Sequence, residues 1–155
     1  MPDRIRVSAL ILRGESVALV VFHTADLGEH FDLPGGGLEA GESLVDGVRR
    51  ECYEEIGCTV RVGRLLGVAE HLPEPSPHDH YEGQHVLDFI FECVIEAGQK
   101  INLPTVHDED QIGVAWRPIA DLHRAALKPA AAQWLISRAR DKQDDLYQQN
   151  IWGRV

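Results

Sequence analysis

The alternation of apolar and polar residues predicts a protein built mainly from β-strands. Residues Arg4 to Leu12 alternate in this way, and the polar segment Arg13 to Ser16 predicts a turn into an antiparallel partner strand from Val17 to Phe22. Residues His85 to Ile95 are apolar on both alternations, which predicts a central strand buried on both faces. Shorter or weaker patterns predict strands at Phe31 to Leu33, Thr59 to Glu70 and Ile112 to Trp116.

Helical spacing replaces alternation in the middle of the chain. At about 100° per residue, one face carries a stripe of apolar side chains: Leu44, Val45, Val48, Cys52 and Ile56. Ser43 followed by Asp46 resembles a capping box that begins this helix, and Gly57 is placed to end it with a left-handed cap. A second helix is predicted from Ala130 to Arg140, and a helical turn begins near Arg117.

A second face of the central helix carries three carboxylates. Glu51, Glu54 and Glu55 stand at positions i, i+3 and i+4, where their charges repel one another and destabilise the helix. Hard oxygen ligands at this spacing suit Mg²⁺ or Mn²⁺, which would bind them together with water and substrate phosphate. The alternative is a solvated acidic surface, which is the usual role of glutamate-rich helix faces.

The residues around these glutamates resemble a known pattern, the Nudix box. That pattern is Gly, five residues, Glu, seven residues, Arg-Glu, an aliphatic, any residue, Glu-Glu, any residue, Gly and an aliphatic. The chain matches it without a gap at Gly36, Glu42, Arg50, Glu51, Glu54, Glu55 and Gly57. Cys52 and Cys58 stand at the aliphatic positions, where a buried cysteine serves as a small apolar residue. We therefore identify the chain by resemblance as a member of the Nudix hydrolase (MutT-like) family.

The resemblance implies a fold more definite than periodicity gives. Periodicity alone indicates α/β or α+β, whereas a Nudix-type fold is an α/β/α sandwich with a mixed β-sheet between helices. We expect one domain over residues 1–143, followed by a C-terminal tail, residues 144–155, whose composition predicts no element.

The resemblance also implies a metal-dependent hydrolase that cleaves a diphosphate linkage by attack of water at phosphorus. Metal ions would neutralise the phosphate oxygens, and a carboxylate would deprotonate the water. The expected ligands of Mg²⁺ or Mn²⁺ are Glu51, Glu54, Glu55 and Gly35. The expected catalytic residues are Glu54, Glu51, Arg50 and Glu109.

Two of these catalytic assignments rest on position in the family pattern. Arg50 is expected to orient Glu42 or Glu51, since it cannot face the same way as all three helix glutamates. Glu109 belongs to the run Asp108 to Asp110 before a late strand, where several family members place a further acidic residue.

Substrate contacts are expected from Gly36, Gly37 and Glu42, and from aromatic rings at Phe31 and Tyr81 that stack on a base. Tyr81 lies in a loop from Leu72 to Gly83 that contains three prolines and is expected to cover the substrate.

Composition and net charge restrict the classes of partner that the protein is expected to bind. The chain has 155 residues and a formal net charge of −10, which argues against a nucleic-acid or anionic-membrane surface. Its three cysteines have no metal or disulfide spacing, and no leader or long apolar run is present, so we expect a cytoplasmic protein. The resemblance to the family is compatible with a homodimer.

The sequence does not name the substrate. The partner is expected to be a small nucleoside diphosphate derivative, such as an ADP-ribose-like compound, a nucleotide sugar or a nucleoside triphosphate. Two alternatives remain: a non-catalytic Nudix-like domain that senses a nucleotide, and a prenyl-diphosphate isomerase that uses Cys93. Release of phosphate products with Mg²⁺ separates an enzyme from a sensor.

Overall fold

In the part of the chain that the structure describes, the fold is a mixed β-sheet with the helix Leu44–Ile56 packed on one of its faces. The computed structural model describes residues 1–73, 81–124, 127–128, 136, 139 and 147–149. The strands are β1 (Arg4–Arg13), β2 (Ser16–Thr24), β3 (Gly28–Asp32), β4 (Gly35–Gly37), β5 (Val60–His71), β6 (Val86–Ile95), β7 (Gln111–Pro118), β8 (Leu127–Lys128) and β9 (Tyr147–Gln149). The helix α1 spans Leu44–Ile56, and a 3₁₀ helix spans Ile119–Arg124.

The strand order is β8-β3-β2-β1-β6-β5-β9, with β4 paired to β1 and β7 paired to β2. β1 and β2 form the predicted antiparallel hairpin, and β6 lies between β1 and β5, which confirms its predicted central position. β1 and β6 run parallel, so the sheet is mixed as expected.

Each face of the sheet carries its own hydrophobic core. One core joins α1 to the sheet through Val48, Cys52 and Ile56, which pack with Val7 and Ala9 of β1. The other contains Leu10 and Leu66 together with Ile136, a helical residue within the segment predicted as the second helix. The rest of that predicted helix, apart from Ala139, lies outside the described residues, as do residues 74–80 of the proline-containing loop. The class is α+β.

The ends of α1 are fixed as the sequence predicts. Ser43 has an extended backbone and its hydroxyl accepts a hydrogen bond from the Asp46 amide at 3.1 Å. Gly57 has a φ of 66°, a left-handed conformation that glycine adopts without a Cβ penalty, and its amide donates to the Tyr53 carbonyl. These caps determine where the acidic face of α1 begins and ends.

Three segments form strands where the sequence pattern predicts none. Gly28 to His30 belongs to β3 rather than to a loop, because it pairs with β2. The glycine segment Gly35–Gly37 is a short strand on β1 rather than a loop. Tyr147–Gln149, in the predicted tail, pairs in parallel with β5. None of the described helices is both long and apolar enough to cross a bilayer.

Candidate active site

Arg50 links the acidic face of α1 to the loop before it. Its Nε and Nη2 donate to the two carboxylate oxygens of Glu42 at 2.9 and 3.1 Å, and Nη2 also donates to the Gly37 carbonyl at 2.9 Å. Its Nη1 donates to Glu51 at 2.8 Å and to Glu54 at 3.1 Å. Both contacts that the resemblance implied for Arg50 are therefore present, and the hydrogen bond from Arg50 lowers the pKa of Glu42.

The three glutamates of α1 have different environments. Glu54 is the most exposed, with 54% of its side-chain surface accessible, whereas the Glu51 side chain is 11% exposed. Glu55 lies half-buried and its Oε2 accepts a hydrogen bond from the Gly35 amide at 2.8 Å. Among the three glutamates of the acidic face, Glu54 therefore faces solvent, whereas Glu51 and Glu55 are more buried and lie closer to the sheet.

Burial and mutual repulsion disfavour the charged forms of the two inner carboxylates. Burial raises the pKa of Glu51, although the Arg50 hydrogen bond opposes this effect. Burial also raises the pKa of Glu55, to about 8, with further repulsion from Asp32 and Glu51 and partial relief from the Gly35 amide. A cation placed between these carboxylates would remove the repulsion.

Both inner glutamates open into a cleft of about 350 Å³. The cleft lies beside the start of β1, β4 and the ends of β2 and β3. Its lining residues are Arg4, Arg6, Phe22, Thr24, His30, Asp32, Gly35, Gly36, Gly37, Glu51, Glu55, Asp108 and Asp110. The cleft therefore combines carboxylate oxygens, two arginines and an aromatic wall formed by Phe22 and His30.

The glycines are required at the floor of this cleft. A Cβ on Gly36 would lie 2.6 Å from the Glu51 carboxylate, and a Cβ on Gly35 would lie 2.5 Å from the Ser8 hydroxyl oxygen. Neither glycine has a positive φ, so close approach rather than backbone conformation excludes a side chain here.

The aromatic wall is formed by two residues that face each other across β2 and β3. The rings of Phe22 and His30 are stacked, with centroids 5.6 Å apart and an interplanar angle of 17°. Phe31, the residue expected to contact substrate, instead points into the sheet core and is 5% exposed. Adjacent strand residues face opposite sides, which accounts for this difference.

The loop before β7 is anchored beside the cleft. The His23 amide donates to the Asp110 carbonyl at 2.9 Å, and the Gln111 amide donates to the Asp108 carbonyl at 3.0 Å. The buried Gln111 side chain donates from Nε2 to the Glu55 carbonyl at 2.7 Å, which ties the loop to the end of α1. Asp108 and Asp110 line the cleft, while Glu109, exposed between them, is not among the lining residues.

Two other residues considered for the site from the sequence do not line the cleft. Tyr81 is 5% exposed and packs in the core beside His71, with the Arg6 guanidinium over its ring, so it does not line the cleft. Cys93, required by the isomerase alternative, is 2% exposed in the core under α1 and does not line the cleft either.

The sequence analysis did not single out six of the cleft residues: Arg4, Arg6, Phe22, Thr24, His30 and Asp32. Arg4 and Arg6 occupy alternate positions of an apolar strand, so they point to the same side. That unusual pair of charges was an available signal for a functional surface.

The donor set fits a hard divalent cation, although no three acidic, cysteine or histidine side chains among the described residues converge at ligand spacing. Glu51 and Glu55 supply carboxylate oxygens in the same cleft, and burial, which raises the pKa of both, disfavours their charged forms in the absence of a cation. With two protein carboxylates, a Mg²⁺ ion completes its coordination with waters and substrate phosphates. Glu54 is held at the rim by Arg50.

A family model described as the NUDIX domain matches residues 2–137, which include every one of these site residues. The chain belongs to the Nudix hydrolase family. It is 30% identical over 116 residues to the low-salt glycan biosynthesis protein Agl8 of Haloferax volcanii, covering 74% of this chain and 72% of that protein. It is also 30% identical over 95 residues to the ADP-ribose pyrophosphatase of Methanocaldococcus jannaschii, covering 61% of this chain and 53% of that relative.

Solved structures share the fold across nearly the whole chain. A NUDIX hydrolase from Nitrosomonas europaea superposes with a TM-score of 0.73 at 20% identity, covering 94% of this chain and 93% of that one. A UDP-X diphosphatase gives a TM-score of 0.70 at 21% identity, covering 96% of this chain and 68% of that one. At these identities the likeness establishes the Nudix fold.

Proposed function

We propose that this Nudix hydrolase uses Mg²⁺ or Mn²⁺ to hydrolyse the diphosphate linkage of a nucleoside diphosphate joined to a further moiety. The observation that carries the proposal is that Glu51 and Glu55 open into one cleft that Gly36 and Gly37 also line. A metal there would neutralise the phosphate oxygens and polarise the bond to the leaving phosphate.

The residues of the chain have separable tasks in this reaction. Glu51 and Glu55 hold the cation, and Arg50 keeps Glu51 in place while it binds Glu42 and the Gly37 carbonyl. A carboxylate of the α1 acidic face accepts the proton of the attacking water. The water oxygen bonds to one phosphorus, the bridging P–O bond breaks, and two phosphate monoesters leave.

The aromatic wall supports the nucleoside half of the proposed substrate. Phe22 and His30 present a flat surface at the cleft, a suitable partner for a base. The name of one relative, ADP-ribose pyrophosphatase, makes ADP-ribose the first compound to test. Nucleotide sugars and nucleoside triphosphates are the next, because the acidic face selects the diphosphate rather than the attached group.

The test is a hydrolysis panel of ADP-ribose, nucleotide sugars, dinucleoside polyphosphates and nucleoside triphosphates, with and without Mg²⁺. We expect at least one member to release a nucleoside monophosphate only with metal, and Glu55→Gln to abolish this release. The matched control is Glu92→Gln. Glu92 lies on β6, pairs with Arg64 of β5 and does not line the cleft. A folded protein that binds a nucleotide but hydrolyses nothing would identify a sensor.

A further inference from the structure

Three charged residues, Arg6, Asp32 and Asp88, form a cluster that adjoins the cleft and contains none of the proposed metal ligands. Arg6 and Asp32 also line the cleft. Arg6 is 7% exposed, and Asp88, on the neighbouring strand β6, is 0% exposed. Arg6 Nε lies 3.9 Å from Asp88 Oδ2, and Arg6 Nη2 lies 3.9 Å from Asp32 Oδ2. Charges this far from water persist only where their partners compensate them.

Arg6 also contacts the metal side of the cleft. Its Nη2 donates to the Gly35 carbonyl at 3.4 Å, and the Gly35 amide donates to Glu55 Oε2 at 2.8 Å. The charges of Arg6 and Glu55 attract each other, although no hydrogen bond joins them. Arg6 is therefore a cation within electrostatic reach of a proposed metal ligand.

The carboxylate that lies near Arg6 Nε is itself held by a buried hydrogen bond. The Ser8 hydroxyl donates to Asp88 Oδ2 at 2.8 Å, and Ser8 and Arg6 occupy alternate positions of β1 on the same side. The Tyr81 ring, 5.7 Å from the guanidinium carbon, closes the space around Arg6. Asp88 is thus an anchored carboxylate beside Arg6 Nε, while Nη2 of the same guanidinium donates to the Gly35 carbonyl.

We propose that Asp88 is a positioning residue, which holds Arg6 on the Gly35 carbonyl and away from Glu55, so that Glu55 stays available to the metal. Without the Asp88 charge, Arg6 would turn towards Glu55 and compete with the cation for its carboxylate. The inference rests on the proposed metal site, since it concerns the availability of one of its ligands.

The test is Asp88→Asn, an isosteric change whose side-chain carbonyl still accepts from Ser8. Mn²⁺ binding to the whole protein, followed by electron paramagnetic resonance, measures the site without turnover. We expect the dissociation constant to rise about tenfold or more, as is typical when a group supporting a ligand is lost. Glu92→Gln, which removes a carboxylate from the same strand, should leave the constant unchanged.

A double-mutant comparison separates this mechanism from a general loss of structure. In an Arg6→Met background Arg6 can no longer compete for Glu55, so adding Asp88→Asn should leave Mn²⁺ affinity unchanged. If Asp88→Asn alone does not fold, Ser8→Ala supplies the milder change and should weaken Mn²⁺ in the same direction. A metal-free crystal structure of the single variant should show Arg6 hydrogen bonded to Glu55.

The possible failures are distinguishable. Wild-type affinity for Mn²⁺ in folded Asp88→Asn would overturn the inference while leaving the metal site intact. An equal weakening by Asp88→Asn with and without Arg6 would also overturn it, because Arg6 would then have no part in the effect. Absence of Mn²⁺ binding to the wild type, or binding unaffected by Glu55→Gln, would overturn the proposed function itself.

Discussion

Replacing Gly36 with alanine tests whether the glycine strand and the helix glutamates form one catalytic surface. The new Cβ would lie 2.6 Å from the carboxylate carbon of Glu51 and closer still to its Oε1, whereas ordinary contacts begin at 3.4 Å, so the two groups must separate by at least about 0.8 Å. Glu51 cannot retreat freely because Arg50 holds it at 2.8 Å and its side chain is 11% exposed. The substitution therefore displaces Glu51 itself.

The expected cost is larger in rate than in stability. A displacement of about 1 Å at a catalytic group lowers the rate roughly 100-fold. Overpacking of this size lowers the free energy of unfolding by about 1–3 kcal/mol. Steady-state hydrolysis of the best substrate at saturating Mg²⁺ gives the first quantity, and urea denaturation gives the second.

Gly113→Ala is the matched control. Gly113 lies in β7 with no positive φ, and its new Cβ would meet nothing closer than Val21 at 3.9 Å. The control should therefore leave both the rate and the fold unchanged. Wild-type kcat/KM in folded Gly36→Ala would refute the claim that Glu51 fills the space above Gly36 during turnover.

Two further predictions concern the charges of the site. Arg50→Lys keeps the positive charge, but a lysine cannot reach Glu42, Glu51 and the Gly37 carbonyl together. We therefore expect kcat to fall at least about tenfold and the free energy of unfolding to fall by about 1–3 kcal/mol. Wild-type values in both assays would contradict this role. For metal-free protein, the pKa of Glu55 is raised from 4.5 to about 8, so the folded state holds this proton more tightly than the unfolded state. The stability that protonated Glu55 contributes should be complete below pH 4.5 and lost as the pH rises through about 8. Thermal unfolding in a chelator should therefore depend less on pH in Glu55→Gln than in the wild type. Identical pH profiles for the two proteins would contradict this expectation.

The sequence predicts the central parts of the fold because their signals are local. Ser43 and Gly57 carry the conformations that begin and end α1, so the caps follow from residue type. The central position of β6 follows from its apolar residues on both alternations. The contacts of Arg50 were expected from the family resemblance, which implied Glu42 or Glu51 as its partner, and the structure has hydrogen bonds to both.

The cleft itself depends on pairings that no local pattern specifies. Phe22 and His30 meet because β2 and β3 pair in a particular register, and a shift of one residue would present Phe31 instead. Likewise, Asp108 and Asp110 face the cleft rather than Glu109, since the loop is fixed by long-range bonds to His23. Tyr81 follows proline-rich sequence typical of exposed loops, yet it packs against Arg6 in the core.

The most direct test of the central claim is a crystal structure with Mn²⁺ and an ADP-ribose analogue whose bridging diphosphate oxygen is replaced by methylene. Anomalous scattering from Mn²⁺ locates the ion independently of the proposed reaction. The account predicts an ion in the cleft, bonded to the carboxylates of Glu51 and Glu55 and to phosphate oxygens of the analogue. An analogue bound elsewhere, or a cleft with no ion near either glutamate, would contradict it.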